Sequence, residues 1–81
     1  MKKTTQHGSI LVVDDSEETV ELIRRNLESA GYSIYTASNV QTAIRNLESR
    51  SFDLVITDLK MPDGSGLEIV RHASENYKNL G

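Results

Sequence analysis

The 81-residue sequence predicts an α/β protein with a doubly wound parallel sheet, built in the order β-α-β-α-β-α. Short apolar runs rich in Val and Ile, such as 10–13 and 54–57, are too short for helices and are typical of buried strands. The segments between the runs have the length and the apolar spacing of helices. Strands joined by helical connections lie parallel, with right-handed crossovers.

The first strand is predicted over 10–14, because its unbroken apolar character fits a strand that is covered on both faces. The first helix is predicted over 16–30, with Asp15 or Ser16 as its cap and Gly31 as its stop signal. Its predicted buried stripe is Val20, Ile23, Leu27 and Ala30.

The second strand is predicted over 32–37, and Ser38 or Asn39 is expected to cap a second helix that ends near residue 48. The third strand is predicted over 52–58 and the third helix over about 65–79. The predicted inward-facing positions are Val40, Ala43, Ile44 and Leu47 on the second helix, and Leu67, Ile69, Val70, Ala73 and Tyr77 on the third.

The apolar character of the strands predicts their order. The first and third strands are the most apolar and should be central in a complete sheet, while the half-polar second strand should lie outside. This gives the order 2-1-3 and makes the first and third strands neighbours. The first and second helices then cover opposite faces of the sheet.

Acidic residues follow both central strands, Asp14 and Asp15 after the first and Asp58 after the third. Sites in open α/β sheets gather at the carboxyl ends of the strands, so these three carboxylates should converge. Their mutual repulsion needs a positive charge to offset it, and Mg²⁺ suits a site of few carboxylates plus waters. The alternative interpretation of Asp14 and Asp15 is helix capping.

Composition restricts the class of protein. A net charge of −3 and 37% hydrophobic residues predict one small soluble domain, and the lack of cysteine excludes disulfides and thiolate metal sites. The sequence has no apolar run of about 20 residues and no signal peptide, so we expect a cytoplasmic protein without a membrane partner. The negative charge argues against direct nucleic-acid binding. Residues 1–9 are predicted to be a disordered tail rather than an anion-binding arm.

Three motifs carry a family resemblance. They are Val12-Val13-Asp14-Asp15, Asp53-Leu54-Val55-Ile56-Thr57-Asp58, and Lys60-Met61-Pro62-Asp63-Gly64 with Gly66-Leu67 after it. With these motifs the chain resembles the receiver domain of bacterial two-component response regulators, which has the chemotaxis-type, flavodoxin-like fold. The run 57–62 is also similar to regulators that carry a sigma-54 activator domain.

The resemblance implies a phosphoacceptor signalling domain and not an enzyme, although complete receivers assist their own phosphotransfer and dephosphorylation. It implies that Asp58 accepts a phosphoryl group from a histidine kinase. It also implies that Mg²⁺ is held by Asp14, Asp15, Asp58 and the backbone carbonyl of Lys60. The implied partners are that kinase and an output domain, expected to bind DNA, which lies outside this chain.

The chain also departs from the family pattern. The family has five strands and five helices, so residues 10–81 are expected to be a partial receiver without the last two of each. The family's fourth-strand Ser or Thr and fifth-strand Lys, which contact the phosphoryl group, cannot be assigned here. We therefore expect slow or negligible phosphorylation of this 81-residue chain.

The third strand should be an open apolar edge, which predicts a homodimer or an exchange of elements between two chains. The alternative function is accordingly a dimerisation or interaction module that works without phosphorylation. A phosphohydrolase with an Asp nucleophile is disfavoured because Lys60, and no acid, lies two residues after Asp58. A nucleotide phosphate cradle at 63–66 is disfavoured because neither known glycine-rich motif is present.

Overall fold

The computed structural model describes residues 8–76 of the chain. The elements are β1 (Ser9–Val13), α1 (Glu17–Ser29), β2 (Ser33–Ala37), α2 (Val40–Ser49), β3 (Leu54–Thr57), β4 (Lys60–Met61), β5 (Gly64–Ser65) and α3 (Gly66–Asn76). Most of the predicted tail, the predicted last turn of the third helix and Tyr77 lie outside the described residues. Of the residues assigned to the tail, Ser9 belongs to β1.

The main sheet is parallel with the order β2-β1-β3, which confirms the predicted order. Val13 is in register with Ala37 on one side and with Thr57 on the other. The ladder continues one step past the strands, because the Asp14 amide donates to the Ala37 carbonyl at 3.1 Å and the Asp58 amide donates to the Val13 carbonyl at 3.0 Å. The main chains of Asp14 and Asp58 are thereby held side by side.

The core lies on the face of the sheet that α2 and α3 cover. Alternation along β1 directs Leu11 and Val13 to this face and Ile10 and Val12 to the opposite face, on the side of α1. All four are at most 2% exposed, as expected for a strand that is covered on both faces. The buried cluster consists of Leu11, Val13, Ala37, Val40, Ala43, Leu47, Phe52, Met61, Ile69 and Ala73.

The first two helices begin at predicted caps. Ser16, rather than Asp15, caps α1, and its Oγ accepts from the Thr19 amide at 3.3 Å. Asn39, rather than Ser38, caps α2, and its Oδ1 accepts from the Thr42 amide at 2.8 Å. These side chains satisfy amide donors that have no partner within the helix.

The predicted stripe of α1 is less buried than expected. Val20, Ile23 and Leu27 are only half-buried, and Ala30 is exposed. No residue of α1 is fully buried. The reason is that α1 packs on β1 and β2, whereas α2 and α3 also pack against each other. A single helix on a narrow sheet leaves its flanks open to solvent.

The prediction that Leu67 and Val70 face inward was wrong, because their side chains are 61% and 48% exposed. Ile69 and Ala73, four residues apart, form the buried line of α3. β3 is less buried than the interpretation of its apolar run as a buried strand indicated, since Leu54 is 42% exposed, and this exposure fits the open edge that was predicted for this strand. Within residues 8–76, β3 pairs only with β1 and is an edge of the sheet.

The segment after β3, predicted as a loop, contains a small antiparallel hairpin. In it Lys60 pairs with Ser65 and Met61 with Gly64, and Pro62 and Asp63 form the turn. Met61 is only 9% exposed, so the hairpin is anchored in the core. Across the described part of the chain, we find no helix with the length and apolar character that crossing a membrane requires.

Candidate metal centre

The three predicted acids meet at the carboxyl ends of β1 and β3. One carboxylate oxygen from each of Asp14, Asp15 and Asp58 lies within 4.8 Å of the others. Asp15 and Asp58 are exposed and Asp14 is half-buried. The parallel pairing of β1 with β3 produces this cluster, because it aligns the ends of two strands that are 44 residues apart in the chain.

Hydrogen bonds from the main chain orient two of the carboxylates. The Ser16 amide donates to Asp14 Oδ1 at 2.9 Å, and the Leu59 amide donates to Asp58 Oδ1 at 2.8 Å. Asp14 therefore assists the entry into α1, in part as the capping interpretation expected, and still belongs to the cluster. Each of these bonds engages one oxygen of a carboxylate that has two.

The donor set fits a hard divalent cation. All three side chains offer oxygen, and two oxygens on opposite sides of Mg²⁺ lie about 4.2 Å apart. The oxygens of the cluster lie within 4.8 Å of one another, which is compatible with this span, and the exposure of Asp15 and Asp58 admits water to the remaining positions. The cluster can therefore hold Mg²⁺ directly or through water, with repulsion between the acids relieved by the ion.

The start of α3 packs against the end of β3. The Gly66 amide donates to the Leu59 carbonyl at 2.9 Å, and Gly66 is buried against the Asp58 carbonyl. The Ser65 hydroxyl accepts from the Leu67 amide at 3.1 Å, and the Ser65 amide donates to Glu68 Oε2 at 3.2 Å. This reciprocal arrangement resembles a capping box and confirms Ser65 as a helix-start residue.

Sequence reasoning missed one contact near the site. The Asp63 carboxylate accepts from the Val40 amide at 2.8 Å and from the Gln41 amide at 3.1 Å. These two bonds hold the pKa of Asp63 below its ordinary value, because they favour the charged form. No local sequence signal marks this contact, since its partners lie 23 and 22 residues earlier in the chain.

A second cluster of charged side chains lies on α1, and its members differ from those of the cluster of Asp14, Asp15 and Asp58. Arg24 pairs with Glu21 at 2.5 Å and with Glu28 at 3.0 Å, and Arg25 pairs with Glu21 at 3.0 Å. Hydrogen bonds from both arginines lower the pKa of Glu21, and the bond to Glu21 raises the pKa of Arg24. Exposed pairs at this helical spacing stabilise a helix only slightly, so the cluster is a solvated helix face.

Comparison with known proteins agrees with the geometry. The family described as "Response regulator receiver domain" matches residues 10–80. The chain is 32% identical over 83 residues to the CAI-1 autoinducer sensor kinase/phosphatase CqsS of Vibrio cholerae, covering 99% of this chain and 12% of CqsS. It is 40% identical over 62 residues to the alkaline phosphatase synthesis transcriptional regulatory protein PhoP of Bacillus subtilis, covering 76% of this chain and 26% of PhoP.

Solved structures show the same fold. The response regulator protein TrrA of Thermotoga maritima, in complex with Mg²⁺-BeF, superposes with a TM-score of 0.81 at 41% identity, over 86% of this chain and 61% of TrrA. The complex of TrrA with the histidine kinase ThkA contains a chain that superposes with a TM-score of 0.81 at 40% identity. The match covers 89% of this chain and 62% of the matched chain. The chain thus spans about three fifths of TrrA, and 12% and 26% of the two curated relatives. With its parallel β2-β1-β3 sheet and its matched motifs, the chain belongs to the response regulator receiver domain family.

Proposed function

We propose that the chain is the phosphoacceptor receiver of a two-component system, in which Asp58 takes a phosphoryl group from a histidine kinase. The observation that carries this proposal is the convergence of Asp14, Asp15 and Asp58 within 4.8 Å at the ends of two paired strands. Asp14, Asp15, Asp58 and the Lys60 carbonyl would hold Mg²⁺. The complexes of TrrA with Mg²⁺-BeF and with a histidine kinase support this assignment.

Asp58 is suited to accept the group because its side chain is exposed at the end of a strand. One of its carboxylate oxygens attacks phosphorus and forms a P–O bond, while the P–N bond of the kinase's phosphohistidine breaks. The electron pair of the broken bond stays on the imidazole nitrogen, and the product is a mixed anhydride. Phosphoryl transfer depends mainly on positioning and charge stabilisation.

The residues around Asp58 supply the positioning. The Leu59 amide holds Asp58 Oδ1, and the Asp58 amide is fixed to the Val13 carbonyl. The Leu59 amide therefore orients the carboxylate, and the main chain that carries it is fixed to β1. When bound, Mg²⁺ would offset the repulsion between the incoming phosphoryl oxygens and the three carboxylates.

A metal titration followed by NMR tests the proposal. Adding Mg²⁺ to the ¹⁵N-labelled chain should selectively shift the amide signals of Asp14, Asp15, Asp58 and Lys60. The Asp58→Asn variant should need a much higher Mg²⁺ concentration for the same shifts, because it removes one charged ligand. Uniform small shifts in the wild type, or equal binding by the variant, would contradict the assignment.

A second candidate function is supported by the edge strand. Among the described residues β3 has no partner on its outer side, and Leu54 of this strand is 42% exposed. An exposed apolar edge is a template for pairing with another chain. We propose as the alternative a homodimer, formed by pairing of two β3 edges or by exchange of an element, which works without phosphorylation.

Sedimentation equilibrium tests this alternative. A β3-mediated dimer should show a mass that rises with concentration, and a Leu54→Lys variant should shift it towards the monomer by placing charge on the edge. Leu22→Lys is the matched control, because Leu22 is 64% exposed on α1, away from the edge. A monomer mass at all concentrations would exclude the dimer while leaving the phosphoacceptor proposal intact.

A further inference from the structure

We propose that Asp63 is a positioning residue for the acid cluster, because it fastens the β4–β5 hairpin to the first turn of α2 and so sets the place of Leu59 and Lys60. The inference rests on the proposed function, since it concerns the same site. Asp63 itself does not belong to the cluster of Asp14, Asp15 and Asp58. It acts through the main chain that follows Asp58.

Hydrogen bonds tie the start of α2 to Asp63. Val40 and Gln41 are the first two residues of α2, and both of their amides donate to the single carboxylate of Asp63. Asn39 serves the next amide, that of Thr42. The start of α2 is thus capped partly by its own Asn39 and partly by Asp63, which lies in the turn of the β4–β5 hairpin. A carboxylate is well placed there, because the helix dipole is positive at this end.

The β4–β5 hairpin also packs against the start of α2. A Cβ placed on Gly64 would lie 3.4 Å from Val40 Cγ2, which is an ordinary van der Waals distance. Met61, on the other strand of the hairpin, lies in the same buried cluster as Val40. The hairpin therefore rests on the start of α2, and the Asp63 bonds fix its direction on that surface.

The connection between the hairpin and Asp58 is short. Only Leu59 separates Asp58 from β4, and its main chain is bonded both to Asp58 and to Gly66 at the start of α3. Its amide donates to Asp58 Oδ1, and its carbonyl accepts from the Gly66 amide. A hairpin that turned on α2 would move Leu59, and with it the bond that orients the Asp58 carboxylate. It would also move the Lys60 carbonyl.

The competing explanation is that Asp63 is only a helix cap. Asn39→Ala separates the two, because it removes a cap from the same helix end without touching the hairpin. Asp63→Ala should weaken Mg²⁺ binding by about tenfold, the lower range for residues that orient ligands. Asp63→Asn keeps one acceptor oxygen and should fall between Asp63→Ala and the wild type. Asn39→Ala should leave the Mg²⁺ affinity nearly unchanged although it lowers the free energy of unfolding.

A readout without metal keeps this inference distinct from the proposed function. In the metal-free chain, Asp63→Ala and Asp63→Asn should shift the amide signals of Leu59 and Lys60, and Asn39→Ala should not. Leu59 and Lys60 signals identical to those of the wild type in both Asp63 variants would overturn the positioning role. Equal losses of Mg²⁺ affinity in Asn39→Ala and Asp63→Ala would do the same. If the wild type bound no Mg²⁺ but the signals moved as expected, only the proposed function would be rejected.

Discussion

Gly66 lies directly against the main chain of Asp58. A Cβ added to Gly66 would collide with the Asp58 carbonyl oxygen and would lie 3.0 Å from the Thr57 hydroxyl oxygen. The first residue of α3 and the residue after β3 are therefore in contact through their backbones. The position of the Asp58 main chain depends on the absence of a side chain at position 66.

Substituting Gly66 by Ala should destabilise the fold by about 1–3 kcal/mol, the usual cost of overpacking. The contacted atom belongs to the backbone and cannot rotate away, so the substitution should also displace Asp58 and weaken Mg²⁺ binding. Urea unfolding and a Mg²⁺ titration measure the two effects. Gly64→Ala is the control, since its closest contact is the end of the flexible Glu68 side chain. Equal effects of the two substitutions would contradict this account.

Replacing Asp15 by Asn should stabilise the metal-free chain by up to about 1 kcal/mol, the size of one repulsion between exposed charges near 4 Å. The same change removes a proposed metal ligand. Mg²⁺ at a hundredfold excess over its dissociation constant should stabilise the wild type by about 2.7 kcal/mol and the variant by much less. Thermal unfolding with and without Mg²⁺ measures both quantities. A variant that Mg²⁺ stabilises as strongly as the wild type would remove Asp15 from the site.

Two neighbouring apolar residues of α3 should respond very differently to truncation. Ile69 is fully buried in the core, so Ile69→Ala should cost about 2–5 kcal/mol. Leu67 is 61% exposed, and Leu67→Ala should change the free energy of unfolding by no more than about 0.5 kcal/mol. Chemical denaturation of the two variants checks the assignment of the buried line. A large cost at Leu67 would indicate that a partner covers it.

The contribution of Asp63 to stability should depend on pH. Its pKa in the folded chain is below its ordinary value of 3.8, because the Val40 and Gln41 amides bind the charged form. The stabilisation by Asp63 is therefore complete above pH 3.8 and is lost as the pH falls through the lowered pKa of the folded state. The stability difference between the wild type and Asp63→Asn should be constant near neutral pH and shrink below pH 3.8. The effect of Asn39→Ala, which removes no ionisable group, should stay the same over this range.

Phosphorylation of the 81-residue chain by a small phosphodonor with Mg²⁺ should be slow or negligible. The first lysine after Lys60 is Lys78, and no residue of this chain is assigned to the family's phosphoryl-contacting lysine. Mg²⁺ at the acid cluster would then carry most of the task of offsetting the phosphoryl charge. Mass spectrometry of intact protein, with Asp58→Asn as the control, measures the label. Rapid stoichiometric labelling that Asp58→Asn abolishes would show that this chain supplies all the groups that the transfer needs.

The fold was predictable where one residue pattern has one physical meaning. The run from Ile10 to Val13 could only be a strand covered on both faces, and its neighbours in the sheet followed from the weaker apolar character of β2. Helix spacing identified Ala43 and Leu47 as core. The burial of α1 and of Leu67 was predicted wrongly, because apolar spacing shows which face of a helix turns inward but not how much structure lies there to cover it.

The amino-acid sequence determined that acids follow two apolar strands, and parallel pairing of those strands is enough to bring Asp14, Asp15 and Asp58 together. Only the tertiary structure decided how that site is held. The Asp63 bonds to α2 and the contact of Gly66 with Asp58 join segments whose spacing along the chain carries no periodic signal. Local patterns report which element a residue belongs to, whereas the direction of a loop is set by the surfaces on which it finally rests.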